Sequence, residues 1–173
     1  MKRSRNVFLV GPMGSGKSTI GRQLSELLKK DFYDTDTEIE KKCGADINWI
    51  FDIEGEEGFR KREEKVVQEL TELQGIVLAT GGGVVNSAAN RSRLAARGTV
   101  IYLKATVDQL LDRTARDKSR PLLQTNDPRE TLEKLNADRE SLYEEVADFI
   151  VETDQRGVRT VAAEIAKLMT EEQ

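Results

Sequence analysis

At 173 residues the chain has the length of one domain, and 38% hydrophobic residues are enough to fill its core without a disulfide or a structural metal. With 27 Lys+Arg against 31 Asp+Glu, a formal charge of -4, a pI near 5.2 and a mean hydropathy of -0.54, no broad attraction to nucleic acid or anionic membrane is expected. A single cysteine, Cys43, rules out an internal disulfide framework and a Cys-rich zinc site; the absence of histidine rules out Ser-His-Asp and Cys-His nucleophile systems and any His-ligated metal. Carboxylates, lysine, arginine, hydroxyls and backbone amides must therefore run any chemistry.

The basic start, Met1 to Arg5, is followed by an apolar run of only Val7, Phe8, Leu9 and Val10. That is short of a signal segment and far short of the ~20 residues of a membrane helix, so a cytoplasmic protein is expected. The same run reads as a buried strand. Directly after it, Gly11-Pro12-Met13-Gly14-Ser15-Gly16-Lys17-Ser18 matches GxxxxGK[ST], the phosphate-binding loop pattern. Glycines let the backbone curl so that successive N–H groups face phosphate oxygens. The following helix adds its positive end, Lys17 reaches the outer phosphates, and Ser18 is placed to hold Mg²⁺. A chance match in a chain this long is roughly a one-in-a-hundred event, and this one sits between a strand pattern and an amphipathic helix at 17–30. That helix carries Ile20, Leu24, Leu27 and Leu28 on one stripe.

Phe32 and Tyr33 suggest a very short strand, followed by Asp34-Thr35-Asp36. Two carboxylates at i and i+2 of a strand end project to one side, where Asp34 could hold Mg²⁺ and Asp36 could grip an acceptor hydroxyl and take its proton. Alternatively the pair is a turn in which aspartate caps the helix-like stretch from Thr37. The spacing of Phe59, Val66, Val67, Leu70 and Leu73 predicts a helix over 56–73, with Gly75 as its stop and Arg60 on the striped part. Residues 76–79 read as a second buried strand that runs into Gly81-Gly82-Gly83. Those glycines either admit a ligand to backbone amides or form a plain flexible turn.

Residues 100–103 predict a third buried strand and 107–115 a helix. Arg113, Arg116, Lys118 and Arg120 then crowd the entrance to an irregular stretch, 117–128, with Pro121 and Pro128. Such a run is either a solvated face or a basic lid over a nucleotide. Helices at 129–146, bearing Arg139, and at 158–169 flank a weaker strand at 149–151. Arg60, Arg120 and Arg139 would bind a small anion if the fold brought them into one cleft; scattered surface arginines are the plainer alternative. Strands alternating with helices predict an α/β fold with a parallel sheet covered on both faces. No guanine-reading NKxD sequence is present, and motor ATPases need longer chains. The sequence therefore points to phosphoryl transfer onto a small acceptor.

Taken in order, these motifs resemble the shikimate kinase family over nearly the whole chain: the loop at 11–19, Phe32-Tyr33-Asp34-Thr35-Asp36, Gly58-Phe59-Arg60, Gly81-Gly82-Gly83, Arg113 with Arg120-Pro121-Leu122-Leu123, and Arg139 with Leu142-Tyr143. The resemblance implies a three-layer P-loop fold of the nucleoside-monophosphate-kinase type with a five-stranded parallel sheet. It implies one domain over 1–173, with a lid at about 113–128 and a shikimate-binding region at about 34–60. The implied reaction moves the γ-phosphoryl group of ATP to the 3-hydroxyl of shikimate, on the route to chorismate and the aromatic amino acids.

Carried over by residue, Lys17, Asp36 and Arg120 would be catalytic. Gly14, Ser15, Gly16, Lys17, Ser18, Thr19, Arg113, Arg120, Gln155 and Arg156 would bind the nucleotide. Asp36, Arg60, Gly81, Gly82, Gly83 and Arg139 would bind shikimate, the two arginines through its carboxylate. Ser18 and Asp34 would flank Mg²⁺. A monomer is expected, with shikimate and ATP as its partners. A gluconate-type kinase and a non-catalytic nucleotide switch are the rival readings. The Asp36, Arg60 and Arg139 set speaks against the first; the presence of Lys17, Asp36 and Arg120 speaks against the second. Cys43 and Trp49 receive no role.

Overall fold

Val7, Phe8, Leu9 and Val10 are all fully buried, as a strand covered on both faces requires. In the computed structural model, which describes residues 5–115 and 126–171, this run belongs to β1 (Asn6–Val10), the centre of a five-stranded sheet. The other strands are β2 (Asp31–Asp34), β3 (Ile76–Ala79), β4 (Gly98–Lys104) and β5 (Phe149–Glu152). They lie in the order β2-β3-β1-β4-β5, and every pairing is parallel. In register, Val7 faces Val77 on one side and Thr99 on the other.

Alternation along β1 divides the core in two. Val7 and Leu9 pack with Ile20 and Leu24 of α1 (Lys17–Leu28) and with Val161, Ala162, Ile165 and Met169 of α7 (Val158–Glu171). Phe8 and Val10 turn to the opposite face. There they meet Val66, Val67 and Leu70 of α3 (Ile47–Thr71), Leu94 of α4 (Ala88–Arg97), and Tyr143 and Val146 of α6 (Pro128–Val146). Fully burying one such side chain is worth about 1.5–3 kcal/mol, so these two layers hold the sheet. A smaller cluster of Met13, Ala105, Leu110 and Leu132 seats α5 (Val107–Thr114) against the loop after β1.

The parallel sheet and its helix-covered faces are as the sequence predicts, while several boundaries differ. The predicted helix at 56–73 extends back to Ile47 and bends at Gly55, whose φ of 71° and ψ of -179° suit only glycine. Its first turns escaped the pattern because Trp49 and Ile53 are exposed rather than facing a core. Helix α4 has no predicted counterpart: Leu94 is its one buried hydrophobic residue, and its start is fixed by Ser87, whose Oγ accepts from Asn90 N at 3.2 Å. Helix α2 (Thr35–Cys43) begins two residues earlier than the sequence suggests. No helix among the described residues is long and apolar enough to cross a membrane.

β1 is flanked by β3 on one side and β4 on the other, so the strand order reverses direction there. Ligands of open parallel sheets bind at the carboxyl ends of the strands beside such a switch point. The glycine-rich loop leaves β1 at that end.

Candidate active site

A cleft of about 640 Å³ opens at the carboxyl end of the sheet, lined by the loop after β1, the start of α2, both halves of α3, residues 80–83 and parts of α5, α6 and the segment after β5. On its phosphate side Gly14 and Gly16 hold φ of 84° and 92°, left-handed values that a side chain would strain. Gly14, Gly16, Lys17, Ser18 and Thr19 all line the cleft. Lys17 is buried at the N-terminus of α1, its Nζ donating to Gly11 O at 2.6 Å and Pro12 O at 2.8 Å. Ser15 is fully buried and does not line the cleft; its N–H closes the loop on Pro12 O at 3.2 Å. Arg113 comes from α5 to donate to Gly14 O at 3.0 Å, tying that helix to the loop.

Arg156 also lines the cleft, held by Glu152 O at 2.9 Å and Glu164 at 2.5 Å. Gln155 does not: it is exposed, with φ of 55°, and the buried Thr153 takes the lining position instead. Of the two expected loop residues, then, the structure brings Arg156 and not Gln155 to the cleft. Arg120, with Arg116, Lys118 and most of the expected lid, lies outside the described residues.

Asp34 and Asp36 both line the cleft, but not as neighbours on a strand face. Asp34 ends β2 and caps α2, its Oδ1 accepting from Asp36 N at 2.9 Å and Thr37 N at 3.2 Å. Its Oδ2 accepts from Ser18 Oγ at 2.5 Å. The helix cap that the sequence offers as one reading of this pair is present, and the second carboxylate oxygen is left to Ser18. Asp36, in the first turn of α2, turns instead toward residues 81–83: a Cβ on Gly81 would stand 3.1 Å from its Oδ1.

The three glycines each make room for a different side chain. A Cβ on Gly81 would come within 2.9 Å of Glu63 Oε2, one on Gly82 within 3.4 Å of Arg139 Nη1, and one on Gly83 within 2.5 Å of Arg60 Cζ. None of the three has a positive φ, so space and not backbone conformation demands glycine here. Arg60 and Arg139, 79 positions apart in sequence, therefore converge on consecutive glycines. Arg139 is 4% exposed although it sits on a helix.

Three residues that the sequence reading gave no role, Glu63 and, although inside quoted motifs, Thr35 and Tyr143, organise this side. Glu63 is buried, its Oε1 accepting from Arg60 Nη1 at 2.9 Å while Oε2 has no hydrogen-bond partner. Burial pushes its carboxyl up from the ordinary range; Arg60 opposes that rise and Asp36 adds to it. Thr35 Oγ1 accepts from Gly81 N at 2.9 Å, joining α2 to the glycine run. Tyr143 donates from Oη to Gly82 O at 2.5 Å, and burial lifts its hydroxyl to about 12. The available signal was helical spacing: Glu63 is three residues from Arg60, and Tyr143 four from Arg139, on faces that continue as buried apolar stripes.

No cluster of three or more metal-ligating side chains occurs among the described residues. Ser18 with Asp34 nonetheless suits Mg²⁺, which commonly takes one or two protein oxygens and completes its shell with water and substrate phosphates.

Comparison with known proteins agrees with this geometry. The family model for shikimate kinase matches residues 13–170. A shikimate kinase of Vibrio cholerae serotype O1 is 61% identical over 171 residues, covering 99% of this chain and 98% of the relative. The shikimate kinase from Acinetobacter baumannii solved in complex with shikimate superposes with a TM-score of 0.96 at 50% identity, covering 98% of this chain and 94% of that one. A gluconokinase from Sinorhizobium meliloti superposes with a TM-score of 0.59 over 99% of this chain and 94% of its own, but its 13% identity marks a shared fold alone. A 98–99% match along the chain at half to three-fifths identity leaves no other assignment: the chain belongs to the shikimate kinase family of ATP-dependent kinases.

Proposed function

We propose that the cleft transfers the γ-phosphoryl group of ATP to the 3-hydroxyl of shikimate with the two substrates on its two sides. The observation that carries this reading is the convergence of Arg60, Arg139 and Asp36 on one glycine run facing the phosphate loop. Two guanidinium forks suit a ring carboxylate, and a carboxylate such as Asp36 suits the ring hydroxyls.

In this reading Gly14, Ser15, Gly16, Lys17, Ser18 and Thr19 hold the ATP phosphates, Ser15 through its backbone. Arg113 and Arg156 border the base, and Arg120, by resemblance, reaches the phosphates from the lid. Ser18 and Asp34 would hold Mg²⁺, which would supply positive charge against the phosphates. Arg60 and Arg139 orient shikimate by its carboxylate, while Asp36 accepts the proton of the 3-hydroxyl as its oxygen bonds to the γ-phosphorus. The bond from that phosphorus to the β-phosphate oxygen breaks, leaving ADP. Lys17 and Arg120 counter the charge on the group in transit. Positioning and electrostatics supply the rate, because phosphoryl transfer asks for little covalent work. The region at about 34–60 forms the acceptor wall. Every residue in this scheme comes from one chain, so a monomer suffices, and the cytoplasm supplies the ATP.

The test is ADP release from Mg·ATP with shikimate, gluconate or a nucleoside monophosphate added in parallel. Strong stimulation by shikimate alone, with phosphate on the 3-oxygen by NMR, is the expected result. Equal release without any acceptor, or stimulation by gluconate, would overturn the acceptor assignment.

A further inference from the structure

Tyr143 stands where the two acceptor-binding elements of the site meet. Its Oη donates to Gly82 O at 2.5 Å, across 61 positions of sequence, and the charge of Arg139, one helical turn earlier, bears on the same hydroxyl. With the O–H given to Gly82, the oxygen's lone pairs stay open to that guanidinium. Arg139 Nη1 would lie 3.4 Å from a Cβ on Gly82, which puts hydroxyl, guanidinium and glycine peptide in one contiguous group. The tyrosine has no freedom to drift: it is fully buried, and its ring packs on Tyr102 with centroids 5.0 Å apart.

Burying an arginine and a peptide carbonyl at the edge of a cleft is costly unless both are hydrogen-bonded. Phenylalanine would fill the same volume without that oxygen. The hydroxyl therefore does something that packing does not require. It fixes the plane of the 82–83 peptide and the direction of the Arg139 fork relative to each other.

We propose that Tyr143 is a positioning residue for shikimate, holding the Arg139 guanidinium and the Gly82–Gly83 peptide at the separation at which both meet the substrate. This rests on the reading of Arg139 and the glycine run as shikimate contacts. Tyr143 acts through them and does not touch the reacting atoms.

The experiment is steady-state kinetics and thermal melting of the full chain carrying Tyr143→Phe, Arg139→Ala, or both. Tyr143→Phe keeps the ring stack on Tyr102. It should raise the shikimate KM roughly five- to tenfold, the size expected for losing one buried hydrogen bond between neutral groups. The ATP KM should not change, and kcat should stay within about twofold. The double variant should show less than the product of the single effects, because Tyr143 works largely through Arg139. A shikimate analogue with its carboxylate reduced to the alcohol should bind Tyr143→Phe and the parent equally, whereas general loosening of the core would weaken both ligands. Three results would overturn the proposal: an unchanged shikimate KM in Tyr143→Phe, fully multiplicative effects in the double variant, or equal weakening of both ligands. An unchanged shikimate KM in Arg139→Ala would instead remove the underlying reading, and the proposal with it.

Discussion

The phosphate side of the cleft is made by one stretch of chain, and the acceptor side by four. Residues 11–19 carry their own glycines, lysine and helix N-terminus, and the proposed binding uses backbone groups whose placement follows from local conformation. The acceptor side gathers Asp36 from α2, Arg60 and Glu63 from α3, Gly81, Gly82 and Gly83 from after β3, and Arg139 and Tyr143 from α6. Only the sheet order β2-β3-β1 and the face occupied by α3 and α6 bring these together. A contiguous binder is insensitive to distant packing; an assembled one depends on small spaces being left open between its parts. That difference ranks the expected effects of substitution.

The largest loss should come from Lys17→Met, which removes the charge facing the transferred group. A fall of roughly 10²–10³ in kcat is expected in the coupled ADP-release assay, the size seen when one preorganised electrostatic contact is deleted. Shikimate binding should change far less than turnover, since the bonds from Lys17 to Gly11 O and Pro12 O lie within the phosphate loop.

Gly83→Ala breaks the other side by filling a space. Its Cβ would stand 2.5 Å from Arg60 Cζ, and what must yield is the end of a flexible side chain rather than backbone. The melting temperature should therefore change little, while the shikimate KM rises about ten- to a hundredfold, the worth of a charge-assisted hydrogen bond. The ATP KM should hold. A large loss of Tm with an unchanged shikimate KM would mean that Gly83 serves the fold and not the arginine.

The smallest effect is on stability and depends on pH. Burial raises the Glu63 carboxyl above its unfolded value of 4.5, so between that value and the raised one the native state holds more protons than the unfolded state. Stability from this group is complete below 4.5 and is lost as pH rises through the native value. Glu63→Gln removes that dependence. The melting temperature of the variant relative to the parent should climb as pH increases above about 4.5, even though the loss of the Arg60 partner costs shikimate affinity. A difference in Tm that is flat with pH would contradict the buried-carboxylate account.

The same contrast decides what could be read from the sequence. The phosphate loop was fully legible because its chemistry is written in consecutive residues. The acceptor residues could be named by resemblance, but their convergence could not, since nothing local says that Arg60 and Arg139 meet. The glycine run reads either as an opening for ligand or as a flexible turn, and what neither reading supplies is the room it leaves for Glu63, Arg139 and Arg60. Glu63 was missed, and Tyr143 was quoted in a motif without a role, although spacing pointed to both: an arginine on a helix face that continues as Tyr143 and Val146 faces inward, and its neighbours on that face then belong to the site. Of the elements, β1, β3 and β4 were legible as unbroken apolar runs, and the short edge strands β2 and β5 only weakly. Helix α4 was not, because it contributes Leu94 alone to the core and is otherwise set by its Ser87 cap.

The central claim is that the acceptor side reads shikimate and removes its proton separately from the side that binds ATP. The most direct measurement is turnover and ATP affinity of Asp36→Asn, side by side. The account predicts a kcat lower by roughly 10²–10⁴, the usual contribution of a positioned general base, with the ATP dissociation constant within about twofold of the parent. Turnover like that of the parent, with intact ATP binding, would contradict it and take Asp36 out of the reaction.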